Sequence, residues 1–63
     1  MTLKELRKSK HLKQKDVAIV LGVNRSTVAK WENGSCCPSI LTVFSLSEIF
    51  EISVEEVFNV IAN

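Results

Sequence analysis

Apolar residues recur along this chain at intervals of three and four, the signature of helices with one inward face. Leu3 and Leu6 begin the first stripe, and Thr2 with Glu5 three residues on forms a capping-box pattern that predicts its start. A polar break at Lys10 to Lys13 separates it from a second segment, where Val17, Ala18 and Leu21 share a face. Gly22 is expected to stop that segment in a left-handed turn. Asn24 is expected to cap a third helix, with Val28 and Trp31 on its inner face and Asn33-Gly34 at its end. Either Pro38 or Ser39 can open the fourth, whose predicted inward stripe is Ile40, Val43, Leu46, Ser47 and Phe50. Ser53 with Glu56 caps the last, with Val57, Phe58 and Ile61 predicted to face in. No strand-like alternation competes, so the expected fold is all-α: a compact bundle of five short helices in one domain, residues 1–63.

The third segment departs from an ordinary core helix. Asn24, Arg25, Ser26, Thr27 and Lys30 leave Val28 and Trp31 to hold it down, with Ala29 small enough to sit anywhere. The second and third segments, Gln14 to Asn33, have the length of helix, sharp turn, helix. Ala18 sits where a larger side chain would push the partner helix away, and Gly22 makes the turn. Such a pair holds its second helix out as a rigid rod, able to enter a major groove roughly 12 Å wide. On that reading Arg25, Ser26 and Lys30 reach base edges, since Arg can bond guanine at two points and Ser serves several bases; Lys30 can alternatively meet a phosphate. Asn24, Thr27 and Asn33 suit phosphate oxygens. Gln14, first in its helix, sits at the positive end of the helix dipole, a natural phosphate seat.

Charge sharpens this picture. Residues 1–33 hold all eight Lys and Arg against three acids, whereas residues 34–63 hold four acids and no Lys or Arg. A basic half in a nearly neutral chain suits a polyanion partner. The 46% hydrophobic and 24% charged composition suits a small globule and excludes disorder. No apolar run is long enough for a membrane span, and MTLKELRKSK lacks the apolar region of a signal peptide. The expected location is therefore the cytoplasm, associated with the nucleoid. Cys36, Cys37 and His11 fall one ligand short of a zinc site, so no metal or other cofactor is expected. A redox role for the two thiols is disfavoured, because no basic residue adjoins them to lower a thiol pKa. With one His, no Tyr, no glycine-rich phosphate loop and no nucleophile–base–orienter set, the chain does not read as an enzyme.

The stretches LKELR, QKDVA, LGVNRSTVAKWENG, a proline four residues after that glycine, and ISVEEVF together resemble the Cro/cI-type (XRE-like) helix-turn-helix family across nearly the whole chain. The resemblance implies a lambda-repressor-like bundle that binds operator DNA as a two-fold dimer. It implies that Asn24–Asn33 is the recognition helix, that Gln14 grips phosphate, and that Arg7 pairs with Glu32. Three departures from the family pattern change the expectation. Lys13 stands where Ser or Thr is preferred, so the second helix loses a cap worth roughly 1 kcal/mol while gaining a candidate phosphate contact. Glu51 stands where Gly or Asn is common, so the fourth helix is expected to end without a left-handed residue. Ser35-Cys36-Cys37 replaces residues that are commonly Lys or Arg, which predicts fewer phosphate contacts and a shallower salt dependence.

Surplus apolar residues complete the reading. Ile19 and Val20 lie where relatives tend to be charged, and Leu41, Phe44 and Ile49 lie off the inward stripe. A dimer through Leu41, Phe44, Val54, Phe58, Val60 or Ile61 is expected, as closed two-fold dimers are the commonest assembly. The expected function is sequence-specific double-stranded DNA binding by a small transcriptional regulator, a repressor on a palindromic operator, with no small-molecule effector evident. The alternative is a protein-interaction module, an antitoxin or an adaptor using Ile19-Val20 or Phe44.

Overall fold

In the computed structural model, which describes residues 1–62, five helices follow one another: α1 (Leu3–Ser9), α2 (Gln14–Leu21), α3 (Arg25–Asn33), α4 (Ile40–Phe50) and α5 (Val54–Ala62). Each starts close to where its capping residues predict. The Thr2 hydroxyl accepts the Glu5 amide at 3.2 Å while the Glu5 carboxylate accepts the Thr2 amide at 2.9 Å. That backbone amide, with the Thr2 hydroxyl, holds the Glu5 carboxyl below its usual range. The box therefore contributes stability above the ordinary glutamate pKa and loses it as pH falls through the lowered folded value. Ser39, not Pro38, caps α4 by accepting the Thr42 amide, and the Ser53 hydroxyl accepts the Glu56 amide at 3.1 Å.

One cap departs from the expectation, at Asn24, and the missing side-chain cap expected at Lys13 is found. Asn24 takes the extended cap conformation of α3, yet its side chain makes no capping bond. At α2 the lysine side chain has no acceptor atom to offer an amide. Half of a box survives there, because the Asp16 carboxylate accepts the Lys13 amide at 2.8 Å.

The core gathers Leu3 and Leu6 of α1, Val17 and Ala18 of α2, and Val28 and Trp31 of α3. Val43, Leu46 and Phe50 of α4 with Val57 and Val60 of α5 complete it. The main packing pairs are α2 on α3 and α4 on α5, with α1 bridging α3 and α5. Four positions differ from the predicted stripes. Ile40 is exposed, because a helical side chain leans toward the N-terminus of its helix and the first residue of α4 has no core beside that end. Ile49, three residues from Leu46, packs partly against the core instead of lying off it. In α5 the inward pair is Val57 and Val60, spaced by three, which turns Phe58 outward to 46% exposure. Val60 is thus core, 9% exposed, and is not available as dimer surface.

Glu51 overturns a further expectation. It adopts φ +57°, ψ +43°, so α4 does end on a left-handed residue. The geometry of the closing turn imposes this: the Ile52 amide reaches back to the Ser47 carbonyl at 3.1 Å, the wrapped bond that needs left-handed backbone at the residue before it. Gly22 closes α2 the same way at φ +71°, with no atom within 4 Å of the position a Cβ would take. Opposite effects are therefore expected at the two sites. Glu51→Gly should raise stability by about 0.5–1 kcal/mol, the left-handed strain less the added freedom of the unfolded chain. Gly22→Ala should lower it by about 1 kcal/mol through backbone strain alone. Urea unfolding followed by Trp31 fluorescence measures both, and changes of the same sign would contradict the account.

Candidate nucleic-acid interface

The polar side of α3 stands free. Arg25, Ser26, Lys30 and Asn33 are exposed, as is Asn24 at the cap, while Thr27 and Ala29 are half-buried. Val28 at 1% and Trp31 at 8% exposure anchor the opposite side. Ser26 and Lys30, four residues apart, occupy one stripe of the helix, and Asn33 continues it. The Asn33 side-chain carbonyl accepts the Ser35 amide at 2.9 Å, which fixes the side chain at the helix end.

Arg25 lies toward α2. It lines a shallow groove with Arg7, Lys13, Gln14 and Lys15, so the start of α3 and the start of α2 share one basic surface. A second groove on the other flank of Gln14 is lined by Lys4, Ala29, Glu32 and Asn33. The sequence-predicted residues Lys13, Gln14 and Arg25 are thus brought together, and Gln14 with Asn33. Lys4 and Lys15 were not singled out from sequence. Their charge is visible there, and Lys15 adjoins Gln14 in the chain, but the place of Lys4 beside Gln14 depends on how α1 and α2 dock.

Beneath this surface lies a buried ionic network. Arg7 Nε and Nη2 donate to the two carboxylate oxygens of Glu32 at 2.6 and 3.2 Å, and Nη1 donates to the Leu12 carbonyl at 2.9 Å. The two side chains are 8% and 5% exposed. Gln14 Nε2 donates to Glu32 Oε1 at 3.0 Å. The glutamine at the head of α2 is therefore held in place by the end of α3, and not simply free for a phosphate as expected. Among the described residues no buried side-chain polar atom lacks a partner.

Five helices, a glycine-turned α2–α3 pair and an outward polar α3 are the features of a helix-turn-helix domain of DNA-binding regulators. The chain belongs to the XRE-type helix-turn-helix family, whose model matches residues 3–57. It is 36% identical over 56 residues to an uncharacterized HTH-type transcriptional regulator of Methanocaldococcus jannaschii, covering 89% of this chain and 85% of that one. It is similarly 35% identical over 52 residues to the ImmF control region 10 kDa protein of Bacillus phage phi105, covering 82% and 58%. Identity to the HTH-type transcriptional activator BcrR of Enterococcus faecalis is 32% over 57 residues, 90% of this chain but only 28% of BcrR. No solved structure gives a significant match. Among the described residues no helix is long and apolar enough to cross a membrane.

The network sets an energetic expectation. Glu32→Gln leaves the Arg7 charge buried without its counterion and should cost about 3–5 kcal/mol, measured by urea unfolding. Replacing both partners with apolar residues, Arg7→Met with Glu32→Leu, should recover most of that loss. A double variant as unstable as the single one would refute the desolvation argument.

Proposed function

We propose that the chain is a sequence-specific regulator of transcription that acts as a repressor, laying α3 in the major groove of operator DNA. The observation that carries this reading is the exposed polar side of α3, with Ser26 and Lys30 on one stripe and Arg25 beside it toward α2, on a helix anchored from behind by Val28 and Trp31. All Lys and Arg residues lie in the half of the sequence that includes it. In this arrangement Arg25, Ser26 and Lys30 read base edges, and Lys13, Asn24, Thr27 and Asn33 hold phosphates. Gln14 contributes a phosphate contact while its other bond ties it to Glu32. Lys4 and Lys15, lining the same grooves, add to the electrostatic footprint. A body that occupies the groove excludes other proteins from the same site, which is how binding represses.

The reading includes a two-fold dimer. Leu41, Phe44 and Phe58 are exposed at 74%, 48% and 46%, and the partly buried Val54 and Ile61 border the core. Such a pair reads half-sites roughly 34 Å apart. The adaptor alternative rests on Ile19 and Val20, exposed at 75% and 67%, and the same experiments separate the two.

Selection of bound sites from random duplexes, followed by titration at two salt concentrations, tests the proposal. Arg25→Ala should cost about 1–3 kcal/mol and relax preference at one base pair. Lys13→Ala should weaken all sequences alike and reduce the salt slope by about 1. Equal losses for the two variants on random DNA would refute the division of roles. An adaptor would select no site and show only weak, salt-sensitive binding. Leu41→Glu should leave the fold intact and shift sedimentation from dimer to monomer; a monomeric wild-type chain on operator DNA would overturn the dimer.

A further inference from the structure

The six residues between α3 and α4 contain an adjacent thiol pair that the DNA reading does not use. Cys36 and Cys37 are both free and exposed. Their loop is structurally tied to α3, since the Ser35 and Cys36 amides both donate to the Lys30 carbonyl, at 3.0 and 3.3 Å. Together with the Gly34 amide, which donates to the same carbonyl from a left-handed residue, those two bonds close the C-terminal turn of α3. On the other side Pro38 and the Ser39 cap lead directly into α4. Any ligand that draws the two sulfurs together must turn the peptide that joins the Cys36 carbonyl to the Cys37 amide, and so reorients the residue whose own amide is bonded to the Lys30 carbonyl.

The chemistry of the pair selects its ligand. Neighbouring Cα atoms lie about 3.8 Å apart across a trans peptide, short of the roughly 4.4–6.8 Å that an unstrained disulfide spans. Direct oxidation to a bridge between neighbours is therefore disfavoured. A structural zinc ion wants four ligands, and among the described residues no group of three or more His, Cys, Asp or Glu is placed to hold a metal. Linear two-coordinate ions want their sulfurs on opposite sides, which adjacent residues cannot supply. A trivalent arsenic atom carrying one organic group differs from all of these. It takes two thiolates, its bonds are pyramidal, and it closes a ring one atom wider than the strained disulfide.

We infer that Cys36 and Cys37 form a chelating site for monosubstituted trivalent arsenicals, and that occupancy releases the C-terminal cap of α3. With R–As(OH)2 as ligand, two As–O bonds and two S–H bonds break and two As–S bonds form. Each thiol proton leaves with a hydroxyl as water, so two waters are released. Arsenic stays trivalent and no electron donor or acceptor is needed. The loss of the Lys30 cap loosens the last turn of the helix that carries Lys30 and Asn33. Where the DNA-binding reading holds, the consequence is weaker operator binding, and this last step alone rests on that reading.

Phenylarsine oxide is the probe, applied to the full, reduced chain. Intact-mass spectrometry should show one phenylarsenic per chain, retained in excess glutathione and removed by 1,2-ethanedithiol. Cys36→Ser and Cys37→Ser should each bind at least tenfold more weakly, since each leaves one thiol. An adduct stripped by glutathione, or single variants that bind as tightly as the parent, would overturn the site. Hydrogen exchange followed by NMR should show the Ser35 and Cys36 amides at least tenfold less protected in the adduct. Unchanged protection there would overturn the coupling. On operator DNA the adduct should bind at least fivefold more weakly than the reduced chain, with Cys36→Ser unaffected by the arsenical. If the reduced chain binds no DNA, the regulator reading fails while the mass and exchange measurements still decide this one.

Discussion

The Arg7–Glu32 pair is the constraint on which this small bundle depends. It spans 25 residues of sequence and uses all three guanidinium nitrogens, two on the carboxylate and one on the Leu12 carbonyl. Burying two charges costs several kcal/mol in desolvation, which only tight, fully partnered geometry offsets. That geometry fixes three things together. Helix α1 is tied to the end of α3, the α1–α2 turn is pinned at Leu12, and through Gln14 the head of α2 is registered against α3. A helix with only Val28 and Trp31 as large apolar anchors could rock on its bed; with its last turn clamped, its outward face has one orientation.

The left-handed positions show how the chain divides its glycines. Four described residues have positive φ: His11, Gly22, Gly34 and Glu51. The two glycines bracket α3, one turning into it and one out of it. There a strained residue would compete with the placement of the polar helix α3. His11 and Glu51 follow the ends of α1 and α4, and the fold absorbs their strain. Histidine tolerates this conformation better than most residues; glutamate has no such excuse beyond the closing bond from Ile52.

Charge is likewise divided. Arg7, Lys13, Lys15 and Arg25 line one groove, while the exposed Leu41, Phe44 and Phe58 belong to the helices without a Lys or Arg; Ile19 and Val20 of α2 are exposed apolar residues in the basic half of the chain. The loop carrying Cys36 and Cys37 joins the basic and the acidic halves of the sequence. Its backbone belongs to the α3 cap and its last residues to the α4 cap, so a change in it is felt by both.

Much of this was legible in the chain itself. Helix starts followed from side chains that bond amides three residues on, a local interaction needing no tertiary context, and Gly22 and Gly34 stop their helices for equally local reasons. The polar composition of residues 24–33 marked α3 as a helix with an outward face, because an apolar-poor helix must face something other than a core. Tertiary structure decided the rest. Whether Val57 pairs inward with Phe58 or with Val60 is a rotation of about 100° per residue, and only the docking of α5 against α1 and α4 chose Val60. Glu51 became left-handed because a bond from Ile52 required it, against its own preference. The placement of Lys4 beside Gln14 required α1 and α2 to be docked first. Spacing along a chain records what each helix can bury; which of the permitted faces it does bury is set by its neighbours, and those come from residues far away in sequence.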